Sequence, residues 1–438
     1  MAIHRLSVLW YTAPTKYRFP HNCLFGAFLI FKTDYSMRIL TNDYVMNLPG
    51  STIPVKGGPQ RFARDFATFA VAEGHQWIGL VNHSKDHEQA IGLDTKAPRK
   101  EFFFIESEVS SYEAFRDYKA TTPLHGLFSG ERDKIEKIIE EAHPDIILIN
   151  GHSVFTWVFA TAAFNKNIPV VLEYAGIWKK EIDIYSDLFT SESRVACEAM
   201  EREMSERSVA NVFLNRSSLR AFTDTVPGAI VTNPKVITLP HAGWTFATEF
   251  APEAHEERVI SAVARWDRIK NHEAILAFAE EIVRQKLPWK VRVVTTIPET
   301  PKLAEFKERY RELIEVVASM ERESLREFYR EADALMLPSH FETVGGVVME
   351  ALAEGKPTLI SPNVGWIDEY EKTGMQDWIV DFSDSKEAVD RLKAQFTRTS
   401  WPELGAFAAH VQSEHDPRTI YASYIALFEE ISATHVRH

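Results

Sequence analysis

Short apolar runs alternate with longer amphipathic segments along most of this 438-residue chain. Such runs are typical of buried parallel strands, and the segments between them are typical of the crossover helices that connect those strands. The alternation therefore predicts an α/β fold built on parallel sheets. Because the chain is too long for one ordinary hydrophobic core, we expect two domains.

The alternation falls into two series, separated near residues 240–256 by a segment rich in Pro, Gly, His and Ala. The first series predicts strands at residues 37–46, 77–81, 102–105, 145–150, 170–174 and 212–215, with helices at residues 60–73, 131–142 and 193–209. The second series predicts strands at residues 259–263, 291–296, 314–317, 334–337, 358–360 and 378–380. We interpret them as two Rossmann-like domains, residues 37–245 and 246–415, facing each other across a cleft at the carboxyl ends of their strands.

The two ends of the chain lie outside this alternation. Residues 1–36 precede the first predicted strand and show no pattern that ties them to either domain. They are either a genuine extension of unknown role or the product of a start codon placed too far upstream. Residues 416–438 carry apolar positions spaced for one helix face, which predicts a C-terminal helix: Tyr421, Tyr424, Leu427, Phe428 and Ile431.

Charge and composition exclude several classes of protein. The net charge of −13 argues against a broad nucleic-acid interface, which would need clustered Lys and Arg. Two cysteines are too few for a disulfide framework and are typical of a reducing cytosol. No stretch has the length of a membrane span, and none has the pattern of a signal peptide. We therefore expect a cytoplasmic protein, in which a local basic patch would still allow peripheral membrane contact.

Two carboxylates form the most informative motif. Glu342 and Glu350, with seven residues between them, follow the apolar run 334–337 and open a predicted helix that ends at Gly355. Glu342 is expected at the strand-to-helix turn, and Glu350 about two turns into the helix. Between them, residues 343–346 offer backbone N–H groups at a helix N-terminus, where an anion is favoured. The arrangement suits a ligand with hydroxyls at both ends and phosphate in the middle, such as a nucleotide-sugar.

This pattern resembles the E-x7-E signature of retaining glycosyltransferases with the GT-B fold, most closely those of family 4. In that family the first Glu contacts the donor sugar, the intervening amides face sugar and phosphate, and the second Glu binds the ribose diol. The resemblance implies these roles for Glu342, for Glu350, and for the backbone of Thr343, Val344, Gly345 and Gly346. It also implies two Rossmann-like domains and a final helix that crosses back onto the first domain.

A cationic loop follows the first predicted strand of the second series. Departing phosphates build up negative charge, which fixed cations can stabilise without a metal. Arg suits the fork geometry of phosphate oxygens, and Lys supplies a compact charge. The loop resembles the family's Gly-Arg-x-x-x-x-Lys-Gly motif, which implies phosphate-binding roles for Arg265 and Lys270. Ala264 and Asn271 replace the usual glycines, which puts the loop geometry in question more than its charge.

The first domain offers two weaker candidates. Gly57 and Gly58 follow the first strand and resemble the family's Gly-Gly turn, whose amides approach the donor's phosphate or sugar. His152 ends a strand in the part of the fold where related enzymes carry an active-site His. At the end of the next strand, Ala175 replaces another His of many relatives, so that contact is lost.

Two further polar segments receive more limited interpretations. His83 and His87 have a spacing that could ligate a metal on a helix. Their segment is polar and loop-like, with no third ligand, so we interpret it as solvated surface and predict no metal site. Residues 178–181 (Trp-Lys-Lys-Glu) either line an acceptor cleft or start an exposed helix.

The resemblance implies an enzyme of the hexosyltransferase type, which retains anomeric configuration and needs no metal. Its donor would be a nucleotide diphosphate sugar, with no other cofactor, and its acceptor a sugar, a lipid-linked sugar or a small molecule. The expected pathway is glycan, glycolipid or glycoconjugate (polysaccharide) biosynthesis. Alternatives are another GT-B enzyme, such as a nucleotide-sugar 2-epimerase or a phosphorylase, and a non-catalytic module that binds a nucleotide-sugar.

Overall fold

Two parallel sheets form the framework of the protein, as shown by a computed structural model. It describes residues 36–43, 58–81, 98–105, 113–116, 118–121, 123–295, 304–305, 308–318, 320 and 322–435. The predicted extension 1–36 therefore lies outside the described residues except for Ser36. Gly57, His83 and His87 also lie outside them.

The first sheet has seven strands in the order β3-β2-β1-β4-β5-β6-β7. They are β1 (Arg38–Asp43), β2 (Gln76–Val81), β3 (Lys100–Phe104), β4 (Ile146–Asn150), β5 (Val170–Tyr174), β6 (Ala210–Phe213) and β7 (Pro234–Val236). The central strands β4 and β5 are buried at every position. Burial on both faces explains why they are mostly apolar rather than alternating, with Asn150 and Glu173 as buried polar exceptions.

The second sheet has five strands in the order β10-β9-β8-β11-β12. They are β8 (Arg258–Val263), β9 (Trp289–Thr295), β10 (Ile314–Ala318), β11 (Ala334–Leu337) and β12 (Thr358–Ile360). In each sheet the strand order reverses beside its first strand, between β1 and β4 and between β8 and β11. Such a reversal opens a crevice at the carboxyl ends of the strands, where ligands bind in α/β folds.

Helices cover the sheets. In the first half they are α1 (Gly58–Ala72), α2 (Glu113–Arg116), α3 (Ser129–Ala142), α4 (Val154–Asn165), α5 (Trp178–Ile184), α6 (Ser191–Arg207) and α7 (Arg216–Thr225). In the second half they are α8 (His272–Arg284), α9 (Arg322–Arg330), α10 (Val347–Ala353), α11 (Ile367–Thr373), α12 (Ser385–Phe396), α13 (Pro402–Glu414) and α14 (Pro417–His435). None of the helices in the described part of the chain is both long enough and apolar enough to cross a membrane.

The C-terminal helix α14 returns to the first sheet, as predicted. Its Tyr424 ring lies 5.2 Å from the Phe62 ring of α1, and its hydroxyl donates to Glu173 Oε2 of β5 at 2.9 Å. Tyr424 and Phe428 share one hydrophobic cluster with residues of β1, β2 and α1. The prediction of an α/β fold of the GT-B type, with two Rossmann-like units and a crossover helix, is therefore confirmed. The domain limits at residues 245 and 415 remain a prediction.

One predicted strand is wrong. Residues 378–380 do not form a strand, because a 3-10 turn occupies Gln376–Trp378. The turn buries the Trp378 ring against Trp401, with centroids 5.6 Å apart. Contact with the sheet is then limited to an isolated bridge between Ile379 and Ile360, in which the Val380 N–H donates to Ile360 O at 3.0 Å. Burial of the indole therefore outweighs the extended conformation that the apolar run favours.

The first sheet also differs in detail from the prediction. Strand β7 was not predicted, because its three residues are partly exposed and carry no apolar run. Strand β6 ends at Phe213, before the predicted limit at residue 215. Asn215 instead caps α7, and its Oδ1 accepts from the Ser218 N–H at 2.7 Å.

Candidate functional site

Glu342 and Lys270 meet at the β8/β11 reversal. Lys270 follows β8 and Glu342 follows β11, and Lys270 Nζ lies 2.5 Å from Glu342 Oε1. Ser339 Oγ donates to the same oxygen at 2.8 Å. The two charged side chains are 18% and 15% exposed. No residue that the structure describes donates a hydrogen bond to Oε2 of Glu342, which leaves this oxygen for a ligand hydroxyl.

The loop after β11 is fixed by its backbone. Glu342 N–H donates to Asn363 O at 3.1 Å, and the Trp366 indole N–H donates to Gly345 O at 3.1 Å. Gly345 has φ of +84°, and a Cβ there would lie 2.7 Å from Leu337 Cδ2. Only glycine therefore fits at this position without strain.

The backbone N–H groups of Thr343, Val344, Gly345 and Gly346 donate no hydrogen bond to any residue in the described part of the chain. The Thr343 hydroxyl donates to Ala175 O at 2.6 Å, and the Val344 side chain is buried in the core. These two side chains therefore serve the fold, whereas the backbone donors can serve a ligand. Successive N–H groups of this kind form a concave site for an anion.

The loop after β8 carries two cations, Arg265 and Lys270, which differ in their exposure. Residues Arg268–Lys270 form a 3-10 turn, in which Asp267 accepts from the Ile269 N–H at 2.9 Å and also from the Tyr185 hydroxyl. Arg265 lies 3.3 Å from Asp267 and remains 62% exposed. Both cations thus form an ion pair, but Lys270 is mostly buried, whereas most of the Arg265 side chain is exposed to solvent.

Asn271 resolves the loop geometry that the sequence left in question. It has φ of 53° and ψ of 51°, in the left-handed region. Among residues other than Gly, Asn tolerates that region best, because its short side chain bonds locally. Its Nδ2 donates to Pro338 O at 3.1 Å, which ties the loop after β8 to the end of β11. The missing glycine therefore does not prevent the turn.

Glu350 lies in the first turn of α10, not two turns into a helix as predicted. The difference arises because residues 342–346 form a loop, so the helix begins only at Val347. Glu350 Oε1 accepts from Arg61 of α1 at 2.6 Å, and Oε2 accepts from the Tyr329 hydroxyl at 2.8 Å. Although burial disfavours its charge, the adjacent Glu350 carboxylate raises the pKa of Arg61 above its ordinary value.

His152 follows β4 at the reversal in the first sheet. Its ring lies 4.5 Å from the Tyr174 ring, and its two nitrogens are buried without a hydrogen-bond partner among the described residues. Burial lowers the pKa of His152 to about 3, so the imidazole is neutral. Gly58, the other first-domain candidate that the structure describes, begins α1.

Residues 178–181, for which an acceptor cleft and an exposed helix start were the alternatives, begin helix α5, but this helix start is not exposed. Trp178 is buried in the core, so it does not line a cleft. The Trp178 and Lys179 N–H groups donate to the Glu201 carboxylate at 2.7 and 2.9 Å, which anchors the start of α5. Glu181, one turn further, is half-buried near Lys270. Burial raises the pKa of Glu181 to about 7, against the opposing effect of the Lys270 charge.

Sequence reasoning missed three residues that contact the two glutamates: Arg61, Tyr329 and Ser339. Ser339 could have been found, since it lies three residues before Glu342 in the same motif. Arg61 is separated from Glu350 by 289 positions, and nothing in its helical segment distinguishes it from other arginines.

In the described part of the chain, no group of three His, Cys, Asp or Glu residues could hold a metal ion.

Comparisons with known proteins find a similar family in the second half of the chain. Residues 246–398 match the family model described as "Glycosyl transferases group 1". A D-inositol 3-phosphate glycosyltransferase from Geodermatophilus obscurus is 31% identical over 117 residues, which cover 26% of this chain and 26% of that protein. The match thus spans about a quarter of this curated relative's length. The matched residues include the loops that carry Lys270, Glu342 and Glu350.

Solved structures resemble nearly the whole chain. Sucrose-phosphate synthase from Thermosynechococcus elongatus has a TM-score of 0.64 at 16% identity, covering 90% of this chain and 99% of that one. An α,α-trehalose 6-phosphate synthase from Burkholderia multivorans has a TM-score of 0.62 at 11% identity, covering 91% and 100%. At such identities the likeness establishes the fold alone.

Proposed function

We propose that the protein is a retaining, metal-independent glycosyltransferase that moves a sugar from a nucleotide diphosphate sugar to an acceptor. The observation that carries this proposal is the β8/β11 reversal. There the Lys270–Glu342 pair adjoins the unpaired N–H groups of residues 343–346, and Glu350 follows in the next turn. The two carboxylates can accept hydrogen bonds from hydroxyls at both ends of a ligand, and the N–H groups between them can donate to its phosphates. This arrangement suits a nucleotide-sugar.

The donor binds in one orientation in this proposal. Oε2 of Glu342 accepts from a sugar hydroxyl, the N–H groups of residues 343–346 face phosphate, and Glu350 accepts from the ribose diol. A carboxylate offers about four lone-pair sites, so Glu350 can accept from ribose while it keeps Arg61 and Tyr329. Lys270 has three N–H donors, of which Glu342 takes one.

The reaction places negative charge on the leaving phosphate. The bond between the anomeric carbon and the phosphate oxygen breaks, and that oxygen keeps the electron pair. The acceptor oxygen bonds to the anomeric carbon on the same face, and its proton passes to a phosphate oxygen. Lys270 and Arg265 stabilise the developing charge, and because Lys270 is already fixed it needs little reorganisation.

The first sheet would hold the acceptor, and the neutral His152 ring lies at its strand reversal. The relatives named above are, by their names, a glycosyltransferase of inositol phosphate and synthases of sugar phosphates. We therefore propose a polyhydroxylated acceptor and a cytoplasmic role in glycan, glycolipid or glycoconjugate biosynthesis.

A thermal unfolding screen with UDP-, GDP- and ADP-glucose tests the proposal. A ligand that binds only the native protein stabilises it by about 2.7 kcal/mol at a concentration of 100 Kd. We expect one base to raise the midpoint of the wild type and to have a smaller effect on Glu350→Gln. No stabilisation by any of the three would contradict the proposal.

Product analysis with the stabilising donor then separates the alternatives. A glycosyltransferase releases the nucleoside diphosphate and forms a glycoside when a panel of sugars, sugar phosphates and cyclitol phosphates is supplied. An epimerised sugar without a glycoside would identify an epimerase. Binding without turnover across the panel would identify a non-catalytic module.

A further inference from the structure

An arginine of the first domain contacts the predicted ribose-binding carboxylate of the second. Arg61 lies in the first turns of α1, and its Nη1 donates to Glu350 Oε1 at 2.6 Å. The two side chains are 19% and 13% exposed, so the pair is largely removed from water. Arg61 Nη2 also lies 3.8 Å from the Cβ position of Gly346, at the start of α10. The guanidinium thus covers the loop between the two glutamates.

Glu350 is fixed at both oxygens by residues far from it in sequence. Tyr329, a fully buried residue at the end of α9, donates to Oε2 at 2.8 Å, while Arg61 occupies one site on Oε1. The Tyr329 contact lies within the second domain, whereas the Arg61 contact comes from the first. Without Arg61, a mostly buried carboxylate would lose its only cation among the described residues and would no longer be held at Oε1.

Other contacts bring the first domain to the same loop. Asn215 Nδ2 donates to Thr343 O at 2.5 Å, and the Thr343 hydroxyl donates to Ala175 O at 2.6 Å. Both Asn215 and Ala175 follow strands of the first sheet. The segment from Thr343 to Glu350 is therefore held by the first domain at both of its ends.

We propose that Arg61 is a positioning residue for nucleotide recognition, which orients Glu350 toward the ribose 2′- and 3′-hydroxyls. Recognition of ribose then depends on contact between the two domains, and not on the second domain alone. This inference rests on the proposed function, because it takes Glu350 as the ribose ligand. Arg61 acts through Glu350 and does not itself contact ribose.

The test compares binding of ribose and 2′-deoxyribose nucleotides. Calorimetry gives Kd for UDP, GDP or ADP, whichever base the screen selects, and for its 2′-deoxy form. We expect the wild type to prefer the ribonucleotide by about tenfold or more, since the missing hydroxyl leaves a charged acceptor without its donor. In Arg61→Ala this ratio should fall close to one, through weaker binding of the ribonucleotide with little change for the deoxy form.

Three further variants separate positioning from folding. Arg61→Lys keeps the charge and should restore part of the preference, and Arg61→Gln keeps a donor without the charge and should restore less. Arg64→Ala is the matched control on the same helix, because Arg64 pairs with its neighbour Asp65 and not across the domains. It should bind both nucleotides like the wild type. If Arg61→Ala fails to fold, the Lys and Gln variants decide the question.

The outcomes distinguish this inference from the proposed function. An unchanged ribose preference in Arg61→Ala, or tighter ribonucleotide binding because Arg61 competes with ribose, would overturn the positioning role. If the wild type and Glu350→Gln bind both nucleotides equally, Glu350 is not the ribose ligand, and the proposed donor orientation fails instead.

Discussion

The carboxyl ends of the two sheets share a topology but differ in charge. At the β1/β4 reversal, Asn42 and Asn150 exchange two hydrogen bonds of 2.8 Å, and the nearby His152 is neutral. Glu173, on the adjacent strand β5, is fully buried, and burial raises its pKa to about 7. At the β8/β11 reversal, by contrast, Lys270 and Glu342 form an ion pair.

This difference shows how one fold provides two kinds of site. The reversal of strand order provides a crevice in both sheets. In the first sheet, the described groups at the β1/β4 reversal include the Asn42–Asn150 pair and the neutral His152 ring, which carry no charge. In the second sheet, fixed charges and unpaired N–H groups make the crevice suitable for a phosphate. In the proposed function, the side chains after the strands, and not the strand order, distinguish the donor site from the acceptor site.

The largest effect should follow removal of Arg265 or Lys270, the two cations of the loop after β8. We expect Arg265→Ala and Lys270→Ala each to lower the rate of sugar transfer by ~10²–10³-fold, the usual scale for one preorganised charge-stabilising group. Turnover with the donor selected by the screen measures this. Near-normal turnover in both variants would place the phosphate site elsewhere.

The two cations should differ in their effect on stability. Arg265 is largely exposed, so its loss should leave the free energy of unfolding unchanged. Lys270→Ala leaves Glu342 without its cation and should lower the free energy of unfolding by about 1–3 kcal/mol. Urea denaturation of both variants tests whether only the Lys270–Glu342 pair contributes to stability.

A smaller effect is expected at Glu173 in the first sheet, and it concerns stability rather than turnover. Burial raises the pKa of Glu173 from 4.5 to about 7 in the folded protein. The folded state therefore favours the protonated carboxyl, and its contribution to stability is full below pH 4.5 and is lost as pH rises through 7. Glu173→Gln cannot ionise, so it avoids this loss. Between pH 4.5 and 8, the free energy of unfolding of the variant relative to that of the wild type should therefore rise by roughly 3 kcal/mol.

Urea denaturation of both proteins at pH 5 and pH 8 gives the required difference. The amide oxygen of the Gln variant can still accept from the Tyr424 hydroxyl, so the comparison isolates the charge. A difference between variant and wild type that does not change with pH would show that Glu173 is ionised throughout.

The sequence predicts the features that depend on residues close to each other in the chain. The apolar runs predict strands β5, β11 and β12 at their observed limits, and the spacing within the two loops identifies Lys270 and Glu342. It does not predict the residues that complete the site from a distance. Arg61 approaches Glu350 only because α1 and α10 face each other, a result of packing that no local pattern encodes.

Substitution of the two glutamates tests the central claim, that the second domain binds the donor with its sugar at Glu342 and its ribose at Glu350. Both changes to Gln preserve side-chain size, and thermal unfolding checks that both variants fold. Positive charge develops at the anomeric carbon, so the interaction with Glu342 should strengthen toward the transition state, and Glu342→Gln should mainly lower kcat. Glu350 should bind ribose equally in donor and transition state, so Glu350→Gln should mainly raise the donor KM. If Glu342→Gln changed only KM while Glu350→Gln changed only kcat, the proposed orientation of the nucleotide-sugar would be reversed.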